Sequence, residues 1–261
     1  MNVKDKVVVV TGGASGIGLG LCTRFAQDGA HVVLSDLKQE ACERFAGPLG
    51  AVPVAADVGK EADIQNLVTK TIEHFGRIDL FVSNAGIGID GGVEITTEQW
   101  QKIININLMS EIWAAKYSLP HMLKQGSGYL LNVASAAGLL VIFDTVSYTV
   151  TKHAAVGFTE WLASMYKDKG IGVSLLVPAA VLTPILDGKL DTPEGRGAIT
   201  TDQLAQIVVD GLAEERFLIN THPWVLDKFA VKARDYDEYI QNMVAGRQAE
   251  DAKALEEAKA S

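Results

Sequence analysis

The sequence predicts an α/β fold built on a doubly wound parallel sheet of about seven strands. Two observations carry that prediction. Short apolar, β-branched runs recur along the chain, and most are continuous rather than alternating, as in strands covered on both faces. Longer segments with helical periodicity separate them, and parallel neighbours need such crossovers. The length of 261 residues suits one large domain, and no linker, repeat or low-complexity insert divides it.

The elements follow in order. VVVVT (7–11) is the first strand and runs through a glycine turn into a helix over 17–28. HVVLSD (31–36) and AVPVAAD (51–57) come next, with helices over 38–46 and 60–75. DLFVSNAG (79–86) leads to a broken helix over 97–124, and GYLLNVAS (128–135) to a helix over 147–168. VSLLVP (173–178), a helix over 201–215 and RFLIN (216–220) complete the alternation. Residues 179–200 hold two prolines and several glycines, and a connection this long is usually functional or mobile. Residues 1–222 form the main body, and 223–261 read as a helical extension of the same domain. There Val225, Phe229, Ala233, Tyr236, Ile240 and Val244 recur three or four apart, which predicts one amphipathic helix. Its stripe is expected to wall a substrate pocket or an interface, or to pack on its own sheet. Beyond Gly246 the Ala, Glu and Lys tail is expected to fray.

Composition excludes several classes. A net charge of -9 argues against nucleic acid or an anionic membrane as partner. Cys22 and Cys42 have neither metal-ligand nor redox spacing, which suits a reducing cytoplasm. The five histidines do not cluster, so no metal site is expected. No stretch reads as a signal peptide or a membrane span.

TGGASGIG (11–18) places glycines between a strand and a helix start. Gly12, Gly16 and Gly18 allow a tight turn and close approach to a pyrophosphate, and the helix N-terminus offers free N–H groups. Ser15 lies inside the loop and brings no positive charge. Asp36 ends the second strand, 18 residues past Gly18, where an acidic side chain accepts both hydroxyls of an adenosine ribose. A 2′-phosphate would meet a carboxylate there, so NAD is expected over NADP.

YTVTK (148–152) puts Tyr148 and Lys152 one helical turn apart on the same face. Such a pair reads either as an ordinary amphipathic face or as a device that makes a phenol usable as a base. A free phenol titrates near about 10, too high for that task at neutral pH. A nearby ammonium in a site that excludes water favours the phenolate.

TGGASGIG, NAG (84–86), Ser135 and the Tyr148-x-x-x-Lys152 pair together resemble the short-chain dehydrogenase/reductase family, over about residues 4–220. The resemblance implies a Rossmann-type sheet, a nicotinamide cofactor and carbonyl–alcohol redox chemistry. It implies a tetrad of Asn107, Ser135, Tyr148 and Lys152. Tyr148 is then the base, and Lys152 beside it holds the nicotinamide ribose. Ser135 bonds the substrate oxygen, and Asn107, in NINL, seats a water linking the lysine to solvent. Ile17 would sit over the pyrophosphate, Asp57 and Val58 would touch the adenine edge, and Asn84, Ala85 and Gly86 would line the groove. Pro178, Val181 and Thr183 fall beside the nicotinamide, and Thr183 resembles the threonine that reaches its carboxamide. One departure is Pro178-Ala179 where the family usually has Pro-Gly, since alanine resists a positive φ.

The segments that would surround the substrate are mostly apolar: Ile87 and Ile89, Leu139 to Phe143, and Leu182 with Pro184, Ile185 and Leu186. A hydrophobic or aromatic secondary alcohol or its ketone fits them. The alternatives are a ketone or 3-oxoacyl reductase and, from another class, a non-catalytic NAD-binding regulator. Trp113, Trp161 and Met165 suit a subunit interface or the core, and a homotetramer or homodimer is expected.

Overall fold

A computed structural model describes residues 1–183 and 197–260. Its sheet has seven strands: β1 (Val7–Thr11), β2 (His31–Asp36), β3 (Val52–Ala55), β4 (Leu80–Ser83), β5 (Gly128–Val133), β6 (Ile171–Val177) and β7 (Leu218–Asn220). All pairs are parallel, in the order β3-β2-β1-β4-β5-β6-β7. The continuous apolar runs have the expected cause. Every residue of β1 and β4 is buried, because helices cover both faces.

One layer holds α1 (Gly16–Gln27), α2 (Gln39–Leu49) and α7 (Thr201–Ala213), packed over Val8, Val10, Leu34, Leu80 and Val82. The other holds α3 (Glu61–Phe75), α5 (Ser110–Gln125) and α6 (Val146–Tyr166), packed over Val9, Val33, Phe81 and Leu130. The strand order reverses between β1 and β4. A doubly wound sheet opens a crevice there, outside the carboxyl ends of its strands.

The predicted strands are mostly too long at those carboxyl ends. NAG (84–86) leaves the ladder after Ser83, because the Asn84 and Ala85 N–H groups donate to Thr11 Oγ1 at 3.0 and 3.2 Å. The expected break within 97–124 is a π-turn, Asn105–Met109, between α4 (Thr97–Ile104) and α5. Such turns recur at functional positions inside helices. α4 and α7 both start on capping boxes, Thr96 with Gln99 and Thr200 with Gln203.

The C-terminal extension is two helices, not one: α8 (Pro223–Arg234) and α9 (Tyr236–Ala260). Asp235 between them is extended, at φ -148°, and this shifts the face presented. Val225 and Tyr239 are buried with Phe229 and Met243 packed beside them, whereas Tyr236, Ile240 and Val244 of the expected stripe are exposed. α9 continues past Gly246 to Ala260. The inward side chains pack on Leu139, Leu140, Val156, Leu175 and Val177, so the extension rests on its own domain. Buried Lys232 ties it down, donating from Nζ to Leu139 O at 2.7 Å and lying 3.0 Å from His153 Nε2. Tyr239 Oη accepts from Val141 N at 2.9 Å.

Candidate active site

The groove at the switch point is lined by Gly12, Ser15, Gly16, Ile17, Asn84, Ala85, Gly86, Val133, Ala134, Tyr148, Lys152, Pro178 and Thr183. The glycine loop builds one wall. Gly12 and Gly16 hold φ of 64° and 50°, the region that favours glycine. Gly18 is required for closeness instead: a Cβ there would stand 2.0 Å from Gly12 O. Ser15 is the N-cap of α1, yet its side chain caps nothing, so the first N–H groups of the helix face the groove uncapped. A loop of this shape, with free N–H groups at a helix start, is one that could receive a diphosphate.

Asn84 and Asp36 brace that loop. Asn84 Nδ2 donates to Thr11 O at 2.9 Å and to Gly12 O at 3.3 Å. The Asp36 carboxylate accepts from Ala14 N at 3.0 Å through Oδ2 and from Leu37 N at 2.7 Å through Oδ1. It therefore stands beside the loop at the end of β2, with its position set by two backbone donors.

Asp57 is held by its own turn, accepting from Gly59 N at 3.0 Å and pairing with Lys60 Nζ at 3.2 Å. The side chain of Val58 is in the core and does not line the groove. Val181 is likewise buried in the core and bridges to Ile199. Thr183 lines the groove itself. Ala179 does not take a positive φ, so alanine sits there without the strain that a glycine would have had to relieve. Pro178 is buried, and its carbonyl accepts from Ala136 N at 2.8 Å, which ties the end of β6 to the loop after Ser135. Pro184, Ile185 and Leu186 lie outside the described residues.

The opposite wall is α6. Tyr148 and Lys152 both face the groove, and Lys152 Nζ is 5.7 Å from the centre of the Tyr148 ring. Lys152 is 3% exposed and donates to Val133 O at 2.7 Å, which aims its ammonium at the floor of the groove. Ser135 caps the short 3-10 turn Ala136–Gly138, its Oγ accepting from Ala137 N at 3.1 Å. That bond uses a lone pair and leaves the hydroxyl proton to donate elsewhere. The turn sits hard against α6: a Cβ on Gly138 would come 2.7 Å from Lys152 O. Asn107 lies in the π-turn, 1% exposed. Its Oδ1 accepts from Ile87 N at 2.9 Å, and its Nδ2 donates to Ile87 O at 2.9 Å and Thr151 Oγ1 at 3.3 Å. It joins the NAG loop to α6.

The family model for short chain dehydrogenase matches residues 6–194. The chain belongs to the short chain dehydrogenase family. The dehydrogenase is 34% identical over 243 residues to 2-(R)-hydroxypropyl-CoM dehydrogenase of Xanthobacter autotrophicus, covering 85% of this chain and 97% of that one. It is 30% identical to cyclohexanol dehydrogenase of an Acinetobacter species, over 85% of this chain and 94% of the other. Among solved structures it is similar to a short chain dehydrogenase/reductase from Burkholderia phymatum in complex with NAD. That match has a TM-score of 0.84 at 30% identity and covers 91% of this chain and 96% of that one. The dehydrogenase is thus an oxidoreductase on a Rossmann-type fold.

One buried acid under the electrostatic influence of Lys152 was passed over in the sequence. Glu111, on α5, is 3% exposed, and burial pushes its carboxyl up to about 8, against the pull of the Lys152 ammonium. Its position one turn after Asn107 was the available clue. A separate hollow of about 350 Å³, between β3 and the second half of α3, lies toward the other end of the strands. Among the described residues no cluster could hold a metal ion, and no helix is long and apolar enough to cross a membrane.

Proposed function

We propose that the dehydrogenase moves a hydride between a hydrophobic or aromatic secondary alcohol, or its ketone, and NAD, with Tyr148 as the base. The observation that carries this reading is the groove that places Tyr148 and Lys152 opposite the glycine cradle. The cradle would hold the diphosphate, Asp36 the adenosine ribose, Lys152 the nicotinamide ribose and Thr183 the carboxamide. When bound, NAD supplies the hydride acceptor.

The residues of the chain do the rest. The Tyr148 phenolate takes the hydroxyl proton of the alcohol, and the buried Lys152 ammonium stabilises the phenolate. Ser135 donates its free hydroxyl proton to the substrate oxygen and fixes its direction. Asn107 holds the NAG loop and α6 in register. Apolar side chains at Ile87, Ile89 and Phe143 favour an uncharged substrate, and the cyclohexanol dehydrogenase relative supports an apolar alcohol. NAD over NADP rests on the carboxylate of Asp36 and is supported by the NAD complex of the similar structure.

We infer further that the chain forms a homotetramer, or failing that a homodimer, through α5 and α6. Trp161 and Met165, one turn apart on α6, are 52% and 43% exposed and offer an apolar pair that a second copy would cover. Light scattering on the purified protein checks this. Two free, buried cysteines support a cytoplasmic setting. The decisive experiment is a panel of secondary alcohols with NAD, read by nicotinamide absorbance, on wild type and Tyr148→Phe. Turnover in the wild type alone is expected. Retained turnover in Tyr148→Phe would remove the proposed base, and inactivity of the wild type on every alcohol and ketone tried would favour the non-catalytic reading.

A further inference from the structure

Ser135 caps one end of a short turn, and a lysine from the C-terminal extension holds the other. The 3-10 turn Ala136–Gly138 has Ser135 as its N-cap and Leu139 as its C-cap. Leu139 O accepts from Lys232 Nζ of α8 at 2.7 Å. Lys232 is 6% exposed, and none of the ion pairs among the described residues includes it. A buried charge without a counter-ion is unfavourable, and an apolar side chain would serve packing better. The surroundings nevertheless suit a cation. The ring centres of Tyr236 and Tyr239 lie 5.8 and 5.5 Å from Nζ, and His153 Nε2 stands 3.0 Å away.

The hydrogen bonds fix the imidazole tautomer. His153 Nδ1 lies 2.9 Å from Thr149 O, and a carbonyl only accepts, so Nδ1 carries the proton. Nε2 is then bare and accepts from the Lys232 ammonium. Thr149 closes the circuit, because its Oγ1 accepts from Ile142 N at 3.2 Å. Lys232, the segment Leu139 to Ile142, Thr149 and His153 therefore form one closed ring of hydrogen bonds. Val141 N, on the same segment, donates to Tyr239 Oη at 2.9 Å. Thr149 directly follows Tyr148, and His153 directly follows Lys152. The ring thus joins the turn that starts at Ser135 to the stretch of α6 that carries Tyr148 and Lys152.

We propose that Lys232 is a positioning residue for Ser135: by bridging Leu139 O and His153 Nε2, it sets the place of the Ser135 hydroxyl relative to Tyr148. This rests on the reading of Ser135 as the donor to the substrate oxygen. Lys232 is not among the residues that line the groove, so it acts through the turn. A misplacement of about 1 Å, caused far from the chemistry, is enough to lower a rate about a hundredfold. The extension therefore does more than cover its own domain. It supplies the cation that fastens one member of the tetrad to the helix bearing two others.

The first test needs no variant. Nitrogen NMR of the wild type, with its five histidines labelled, should show a neutral imidazole that holds its proton on Nδ1. A wild type in which no neutral histidine does so overturns the proposal, whatever the variants do. The second test is a kinetic double-mutant cycle. Lys232→Met should lower kcat for alcohol oxidation about tenfold, with the dissociation constant of NAD changed less than about twofold. On the residual rate of Ser135→Ala the same change should cost less than about twofold, because the group it places is gone. Where Lys232→Met does not fold, Lys232→Gln, which keeps a neutral donor, runs the same cycle. Full rate in the lysine variant, or equal losses in both backgrounds, beside an inactive Tyr148→Phe overturns the positioning role alone. Full rate in Ser135→Ala overturns the reading of Ser135 and the positioning role with it.

Discussion

Asn84 Nδ2 lies 2.9 Å from the carbonyl oxygen of Thr11, so a side chain from the loop after β4 pins the end of β1 where the glycine turn begins. The same carboxamide reaches Gly12 O at 3.3 Å, and a Cβ on Gly12 would stand 3.0 Å from Asn84 Nδ2. Asn84→Ala strips both carbonyls of their partner. It should cost about 1–3 kcal/mol in urea unfolding and weaken NAD binding in a fluorescence titration. Unchanged values in both measurements would mean that the turn keeps its shape unaided.

Asp36 serves the same loop from the other side and would also meet the adenosine ribose. Its carboxylate accepts from Ala14 N and Leu37 N. Asp36→Ala should therefore lower stability modestly and, more tellingly, narrow the ratio of kcat/KM with NAD to that with NADP. Removing a negative charge helps a 2′-phosphate and takes hydrogen bonds from a ribose. A ratio that does not move would assign Asp36 to the fold alone.

Glu111 gives the protein a pH-dependent stability of known sign. Its folded carboxyl titrates at about 8, whereas an unfolded one titrates in the ordinary carboxylate range. Between those values the folded state holds a proton that the unfolded state has lost. Stability therefore falls as pH rises through this window and levels off above it. Glu111→Gln cannot ionise and lacks this slope. Thermal melts across the window should show the variant gaining on the wild type as pH rises. Parallel curves would contradict the shift.

The two thiols should be inert in the folded protein. Cys22 is fully buried, and burial, with Asp36 and Cys42 nearby, pushes it up to about 12. Cys42 is also buried, which raises it too. Thiolate is the reactive form, so a disulfide reagent at neutral pH should find neither group. Two equivalents should react after denaturation. Rapid labelling of the native protein would show that the α1–α2 layer opens.

Much of this was legible beforehand, and what was not has a common cause. Strands buried on both faces announce themselves as unbroken apolar runs, so β1 and β2 were placed at their observed bounds. The carboxyl ends of β3 and β4 were overrun, because the backbone there leaves the ladder for side-chain partners that no propensity records. The Asn84 N–H donating to Thr11 Oγ1 is one case. The extension was misread at Asp235, where an extended residue reset the helical phase and turned Tyr236, Ile240 and Val244 outward. A continuous three-or-four spacing cannot reveal such a break. Glu111 escaped because an acid in a helix reads as a solvated face, and only packing shows that it points inward.

Lys232 and Tyr239 reach the main chain at Leu139 and Val141 across 93 and 98 positions of sequence. The segment that follows Ser135 is thus held by α8 and α9. Changes in α8 or α9 should therefore be felt first in that segment, so such a scaffold can vary the surroundings of Ser135 while Tyr148 and Lys152 stay where α6 holds them.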